Sequence, residues 1–173
     1  QVRAKLKEIS VNENAEIVVI HIPSLGSAKV WSEKNFIALI NLILNDGSIH
    51  SNIILTGTKD DTEQVKRVAD RVQSESRVFQ VLDLGLKELR ALLSICRVFV
   101  GNSTGPIHIA AAVGAYVIGF YSPVRVESQI RWGPMTDKKT IFAPAEDTDS
   151  GDVMDDIKPD TVFEEVKRIL LKK

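Results

Sequence analysis

The sequence predicts an α/β fold: a Rossmann-like, doubly wound parallel sheet with helices on both faces. Its β-branched runs, such as "EIVVIHI" at 16–22, are continuous rather than alternating, which is typical of strands buried on both faces. Segments with a helical spacing of apolar residues separate these runs, and the connections are short. Because neighbouring parallel strands need a crossover helix between them, this alternation predicts a parallel sheet.

Each element is predicted from apolar spacing and from the turn residues that bound it. Residues 2–9 are predicted to be a short charged helix, within a linker over 1–12 that precedes one domain over 13–173. After the strand at 16–22, apolar residues at helical spacing predict a helix over 33–45, which the Asp-Gly pair ends. The same reasoning predicts strands at 52–57, 77–82, 97–101, 116–122 and 139–144, and helices around 65–72 and at 86–96, 107–113 and 160–171.

Composition narrows the classes of ligand. The chain has 173 residues, about one domain, and its 22 basic and 23 acidic residues leave a net charge of −1. This balance gives no support to nucleic-acid binding, so an anion site must be local and built from backbone amides. A single cysteine, Cys96, excludes a disulfide framework and a cysteine-rich metal site. No spacing suggests a metal site, and we expect neither a signal peptide nor a membrane span.

In a doubly wound sheet, ligands bind outside the carboxyl ends of the strands, where the strand order reverses. The first polar loop there is "PSLGSAKVW" at 23–31. Its serines, among them Ser24, and Lys29 are good phosphate partners, and Trp31 is predicted to anchor the loop to the core. The P-loop spacing is absent, and an ordinary capped turn is the favoured explanation of this loop on its own.

The second polar loop is "TGTKDDTE" at 56–63. Thr58, Asp60 or Asp61 can cap the following helix. An acidic side chain here can also accept hydrogen bonds from ribose hydroxyls, as in other doubly wound folds. Capping alone explains the loop well and is the favoured interpretation.

The third loop, "GNSTGPIHIAAAVGA" at 101–115, carries more polar chemistry than capping requires. Ser103 or Thr104 can cap the helix, and Pro106 suits its first turn because the missing N–H costs nothing there. Gly105 allows another group to approach the backbone, and His108 lies one turn after Thr104. The free amides and the helix dipole predict an anion site.

Four stretches of the chain share the residue pattern of one known family. "GNSTGPIHIAAAVGAYVIGFYSP" is similar to its D-[ST]-G-P-x-H-x-A-A-A motif, and "IHIPSLGSAKVWSEKNF" to its first loop. "LGLKELRALLSICRVFVGNSTG" and "MDDIKPDTVFEEVKRIL" resemble the stretch before the motif and the closing helix. From Ile17 to Leu171, the chain therefore resembles the C-terminal domain of a glycosyltransferase of family nine, the heptosyltransferase-like group.

The resemblance implies a two-domain enzyme of the GT-B type, in which this chain is the half that holds a nucleotide-sugar donor, most simply an ADP-sugar. The N-terminal half, outside this chain, would hold the general base and a lipid-linked or cell-surface glycan acceptor such as lipopolysaccharide. The reaction would be an inverting transfer without metal or cofactor. The implied location is the cytoplasm, with a peripheral position at the inner membrane.

Carried over by position, the resemblance also assigns site residues. Lys29, Thr104 and His108 would stabilise the departing diphosphate, and no catalytic base is expected in this chain. The donor contacts would come from Ser24 and Lys29 (phosphates), Asp60 (ribose), Leu84 and Leu86 (base), and Ser103, Thr104, Gly105, Pro106 and His108 (pyrophosphate end).

The pattern departs from the family in two places. The second polar loop has Lys59 and Asp60 where an acidic residue of slightly different register is often seen, and Ser103 stands where aspartate is usual. This removes a negative charge from the expected site. The residues also leave a second hypothesis open, a non-catalytic nucleotide-binding or regulatory module of flavodoxin-like shape.

Overall fold

A computed structural model describes residues 2–9, 11–12, 14–23, 29–73, 75–145 and 153–172. In this part of the chain, a parallel six-stranded sheet has the order β3-β2-β1-β4-β5-β6. The predicted fold class is therefore confirmed. The strands are β1 (Ile17–His21), β2 (Asn52–Gly57), β3 (Val78–Leu82), β4 (Val98–Asn102), β5 (Tyr116–Phe120) and β6 (Lys139–Phe142).

Helices cover both faces of this sheet. They are α1 (Val2–Glu8), α2 (Glu33–Asn45), α3 (Thr62–Ala69), α4 (Leu86–Leu93), α5 (Gly105–Ala112), α6 (Gln129–Trp132) and α7 (Pro159–Leu171). One core cluster joins α2, α3 and α7 to the sheet, and the other joins α1, α4 and α5 to its opposite face. Successive residues of β1 alternate between them, since Val18 belongs to the first cluster and Val19 to the second.

The strand order reverses between β1 and β4, which pair side by side with His21 opposite Gly101. From β1 the chain proceeds to β2 on one side, whereas from β4 it proceeds to β5 on the other. The loops after β1 and β4 therefore diverge and leave a crevice at the carboxyl edge of the sheet. A Cβ at Gly101 would lie 2.9 Å from the His21 carbonyl oxygen, so glycine permits this close pairing.

The elements differ from their predicted bounds at their ends. The strand predicted over 116–122 ends at Phe120, because its ladder partner Asn102 is the last residue of β4. The helix predicted at 107–113 begins two residues earlier, at Gly105, and includes Pro106 in its first turn. The helix predicted at 86–96 ends at Leu93, and the next residues form a turn.

The aromatic core lies directly beneath the crevice and is organised around Trp31, which is 1% exposed. Its indole stacks on Phe120 with 4.2 Å between ring centroids, and its Nε1–H donates to the Ile157 carbonyl at 2.9 Å. The prediction that Trp31 anchors the end of the first polar loop is confirmed. The segment predicted as a linker also packs on the domain, because Leu6 and Val11 are buried in the core.

Candidate functional site

Two cavities lie at the carboxyl edge of the sheet, on either side of the loop between β4 and α5. Cavity A, of about 310 Å³, is lined by Lys29, Val30, Asn102, Ser103, Thr104, Gly105, His108, Ser122, Glu127 and Trp132. Cavity B, of about 210 Å³, is lined mainly by residues in or after the carboxyl ends of β1, β2 and β3. These are His21, Pro23, Thr56, Gly57, Thr58, Asp61, Val81, Leu84 and Leu89, together with Thr104, Gly105 and Pro106. Thr104 and Gly105 therefore line both cavities.

The amino end of α5 forms this shared wall. Of its first three residues, Pro106 has no N–H and the Ile107 amide donates to the Thr104 carbonyl oxygen at 3.2 Å, which leaves the Gly105 amide for a ligand. Thr104 occupies the position before the first helical residue, as predicted, but its side chain makes no capping bond to the helix. Its hydroxyl instead donates to the Asn102 carbonyl oxygen at 3.3 Å. The first amide of a helix has no intrahelical acceptor, and the helix dipole adds positive potential at this end. The wall between the cavities is thus suited to an anion.

Gly105 leaves the shared wall open. A Cβ built at this residue would meet no atom within 4 Å. The backbone of the first helical turn can therefore be approached closely from the cavities. A bulkier side chain would occupy that space without clashing with the protein itself.

Asn102, which is not among the predicted site residues, holds the base of the crevice together. Its side-chain amide donates to the Ile22 carbonyl oxygen at 3.0 Å, and its Oδ1 accepts from the Trp31 amide at 2.9 Å. Asn102 is 2% exposed, so both bonds are shielded from water. It thereby ties both ends of the first polar loop to β4. Ser24, the predicted phosphate partner in this loop, lies outside the described residues.

Cavity A brings together five of the predicted residues, Lys29, Ser103, Thr104, Gly105 and His108, with five that were not predicted, among them Glu127 and Trp132. Ser103 and Thr104 are half-buried, whereas Lys29 and His108 are exposed. Glu127 and Trp132 complete the wall from the segment between β5 and β6, where Trp132 is the last residue of α6. A long segment at the carboxyl edge that carries a carboxylate and an indole is the sequence signal that could have identified them.

Of the three predicted site residues Asp60, Leu84 and Leu86, only Leu84 lines cavity B. Asp61, rather than Asp60, lines the cavity, and its carboxylate accepts from the Thr58 amide at 2.7 Å and the Thr58 hydroxyl at 2.6 Å. Leu84 lies in the cavity lining. Leu86 does not: it is 71% exposed, and Leu89 lies against the cavity instead.

His21 forms the buried floor of cavity B. Its Nδ1 lies 3.0 Å from the Thr56 hydroxyl oxygen. Burial lowers the pKa of the imidazole to about 4, although the nearby Asp61 carboxylate opposes the shift. The ring is therefore neutral near pH 7 and can donate or accept a hydrogen bond without bringing a charge into the cavity.

The described residues contain no group of three or more His, Cys, Asp or Glu side chains that could hold a metal ion.

Burial raises the pKa of Cys96 to about 12, and its thiol donates to the Leu93 carbonyl oxygen, which agrees with the predicted inert thiol. Within the described residues, no helix is both long and apolar enough to cross a bilayer.

The family model and the curated relatives that match this chain point to the same family. The model of glycosyltransferase family 9 (heptosyltransferase) matches residues 1–157. The lipooligosaccharide heptosyltransferase 2 of Haemophilus influenzae is 27% identical over 161 residues, which are 85% of this chain and 45% of that protein. The chain thus spans less than half the length of this curated relative.

Two solved structures share the fold. Escherichia coli ADP-heptose LPS heptosyltransferase II superposes with a TM-score of 0.83 at 19% identity, over 98% of this chain and 51% of that one. Escherichia coli heptosyltransferase WaaC with ADP gives a TM-score of 0.74 at 19% identity, over 96% of this chain and 48% of that one. Each resembles this chain over about half of its own length.

Proposed function

The chain belongs to glycosyltransferase family 9, and from this premise we propose that it binds the nucleotide-sugar donor of an inverting glycosyl transfer. The observation that carries the proposal is the wall of Thr104 and Gly105, which is common to cavities A and B. A nucleoside diphosphate sugar has a diphosphate between two larger groups. The diphosphate would lie on the amino end of α5, with the nucleoside in one cavity and the sugar in the other.

Cavity B suits the nucleoside. Leu84, Leu89 and Val81 give it an apolar side for a base, and Asp61 supplies a carboxylate that can accept from ribose hydroxyls. The neutral imidazole of His21 adds a polar atom without adding a charge. That a solved structural neighbour is described with ADP supports an adenine nucleotide for this chain.

Cavity A suits the sugar and the charge that develops on the leaving group. In the proposed reaction, an acceptor hydroxyl attacks the anomeric carbon and the bond from that carbon to the diphosphate oxygen breaks. The electron pair leaves with the diphosphate, and the hydroxyl proton passes to a base. Lys29, His108 and the Gly105 amide can stabilise the departing diphosphate, since they surround the same cavity.

The base and the acceptor are proposed to belong to a second domain. The groups at the crevice that we assign to the reaction all face the leaving diphosphate, whereas the base must reach the hydroxyl on the opposite face of the sugar. The curated relative that acts on lipooligosaccharide is more than twice the aligned length. We therefore propose a lipid-linked or cell-surface glycan as acceptor, held largely by that second domain.

We expect the 173-residue chain to bind a nucleotide sugar yet to transfer no sugar. Binding can be measured by thermal shift with ADP-, UDP-, GDP- and CMP-linked sugars, and transfer by product analysis with lipopolysaccharide core acceptors. The expected result is a raised melting temperature with one nucleotide series and no product. Turnover by this chain alone would contradict the assignment of the base to a second domain. Failure of every nucleotide to bind would overturn the proposed function.

A further inference from the structure

We propose that Glu127 and Trp132 form the sugar-recognition wall of cavity A and select a neutral sugar with adjacent hydroxyl groups. The inference rests on the proposed function, because it assumes that cavity A receives the sugar of the donor. It goes further by assigning the residues that bind the sugar and the chemical class of sugar that they accept. Neither residue belongs to the three polar loops recognised in the sequence.

The carboxylate of Glu127 is available for a ligand. Glu127 is half-buried in the wall of cavity A, and its backbone amide donates to the Val124 carbonyl oxygen at 2.8 Å, which closes a 3₁₀ turn over Arg125–Glu127. Within the described ranges, its side chain makes neither a hydrogen bond nor an ion pair. An ionised carboxylate only accepts hydrogen bonds, and its two oxygens can accept from two neighbouring hydroxyls.

Trp132 is held in place by its polar atoms. Its Nε1–H donates to the Val126 carbonyl oxygen at 2.9 Å, and its own carbonyl oxygen accepts from the Tyr121 hydroxyl at 2.9 Å. Burial raises the pKa of the Tyr121 phenol, so this donor stays protonated. The Arg131 guanidinium lies over the Trp132 ring, 5.3 Å from its centroid. Because the indole N–H is already used, Trp132 offers the cavity the ring surface that Arg131 leaves open, which suits the C–H face of a sugar ring.

The charged and polar groups around cavity A determine how the donor is oriented when it binds. Lys29, His108 and the amino end of α5 favour the anionic diphosphate. The Glu127 carboxylate would repel a phosphate or an acidic sugar, so it suits the uncharged end of the donor. The cavity therefore accepts neutral polyhydroxy sugars and disfavours sugar acids.

The test compares each nucleoside diphosphate with its sugar-bearing form. Dissociation constants are measured by calorimetry for ADP and ADP-glucose, UDP and UDP-glucose, and GDP and GDP-mannose, with the series that binds best carried forward. In the Glu127→Gln and Trp132→Leu variants, we expect the ratio of the nucleotide-sugar constant to the diphosphate constant to rise about tenfold. The diphosphate constant itself should stay within about twofold, since the diphosphate contacts other residues.

Asp137→Asn is the matched control, because this exposed carboxylate lies in the same region of the chain and outside the lining of cavity A. It makes the same charge change as Glu127→Gln and should leave both constants unchanged. If both wall variants bind the diphosphate and give the same ratio as the unchanged chain, the sugar-recognition wall is contradicted. The proposed function is not contradicted by that result. If no diphosphate binds the unchanged chain, the proposed function and this inference both fail.

Discussion

The Gly105→Val variant is expected to bind nucleoside diphosphates at least about tenfold more weakly than the unchanged chain. The added side chain enters the space in front of the amino end of α5, where nothing lies within 4 Å of the Cβ position. It therefore keeps an anion from the amide at this end without disturbing the packing of the protein. The measurement is the dissociation constant for ADP, UDP or GDP by calorimetry, with melting temperature as the check on folding.

Gly47→Val is the control for this change. Gly47 is also exposed, its Cβ position is also free of neighbours within 4 Å, and it lies in the turn after α2, away from both cavities. We expect this variant to bind and to melt like the unchanged chain. Normal diphosphate binding by Gly105→Val would show that the β4–α5 loop is only a turn.

Stability is expected to fall as the pH is lowered from 6.5 towards 4, because His21 is held neutral in the folded state. Burial lowers the pKa of His21 to about 4 from an ordinary value of 6.5, so the unfolded chain binds a proton in this window and the folded chain does not. Protons bound by the unfolded state favour unfolding. The full loss amounts to about 3 kcal/mol in the free energy of unfolding.

Urea unfolding at a series of pH values measures this loss. The His21→Gln variant keeps a polar side chain beside Thr56 but does not titrate, so its stability should change less between pH 6.5 and 5. Below pH 5, the unchanged chain and the variant should both lose stability further. Ion-paired carboxylates such as Glu165, whose hydrogen bonds with Arg168 lower its pKa to about 2, become protonated in the unfolded chain there. If the free energy of unfolding falls equally in the unchanged chain and in His21→Gln between pH 6.5 and 5, the role assigned to His21 is contradicted.

The fold could be predicted because its signals are local and repeated. Continuous apolar runs such as Val18–Ile20 occur only where both faces of a strand are covered, and the structure buries these residues completely. The ends of the elements could not be predicted as well, because they depend on partners elsewhere in the chain. The end of β5 at Phe120, for example, follows from the end of β4 at Asn102.

Within the candidate site, the sequence predicted the loop after β4 better than the loop after β2. Asp61 stands three residues after Thr58, the spacing of a capping box, and this geometry turns its carboxylate back towards the strand edge. Asp60 is exposed and does not line cavity B. Leu86 is the first residue of α4 and is exposed, whereas Leu89 lies one turn further along the helix and lines cavity B.

Other residues of the site could not be predicted, because their positions depend on contacts between distant parts of the chain. Asn102 binds groups 71 and 80 residues away, and no local pattern encodes those bonds. Glu127 and Trp132 reach cavity A because Tyr121 ties their segment to the end of β5. The residue types were visible in the sequence, but the fold alone brings them to the α5 wall.

The central claim is that the amino end of α5 binds the diphosphate of a nucleotide between two cavities. Its most direct test is a titration of the unchanged chain with matched pairs, ADP and AMP, UDP and UMP, and GDP and GMP, at equal ionic strength. For one pair, we expect the diphosphate to bind clearly more tightly than the monophosphate. At a hundredfold excess over its dissociation constant, it should stabilise the chain by about 2.7 kcal/mol. Equal dissociation constants for diphosphate and monophosphate in every pair would contradict the claim.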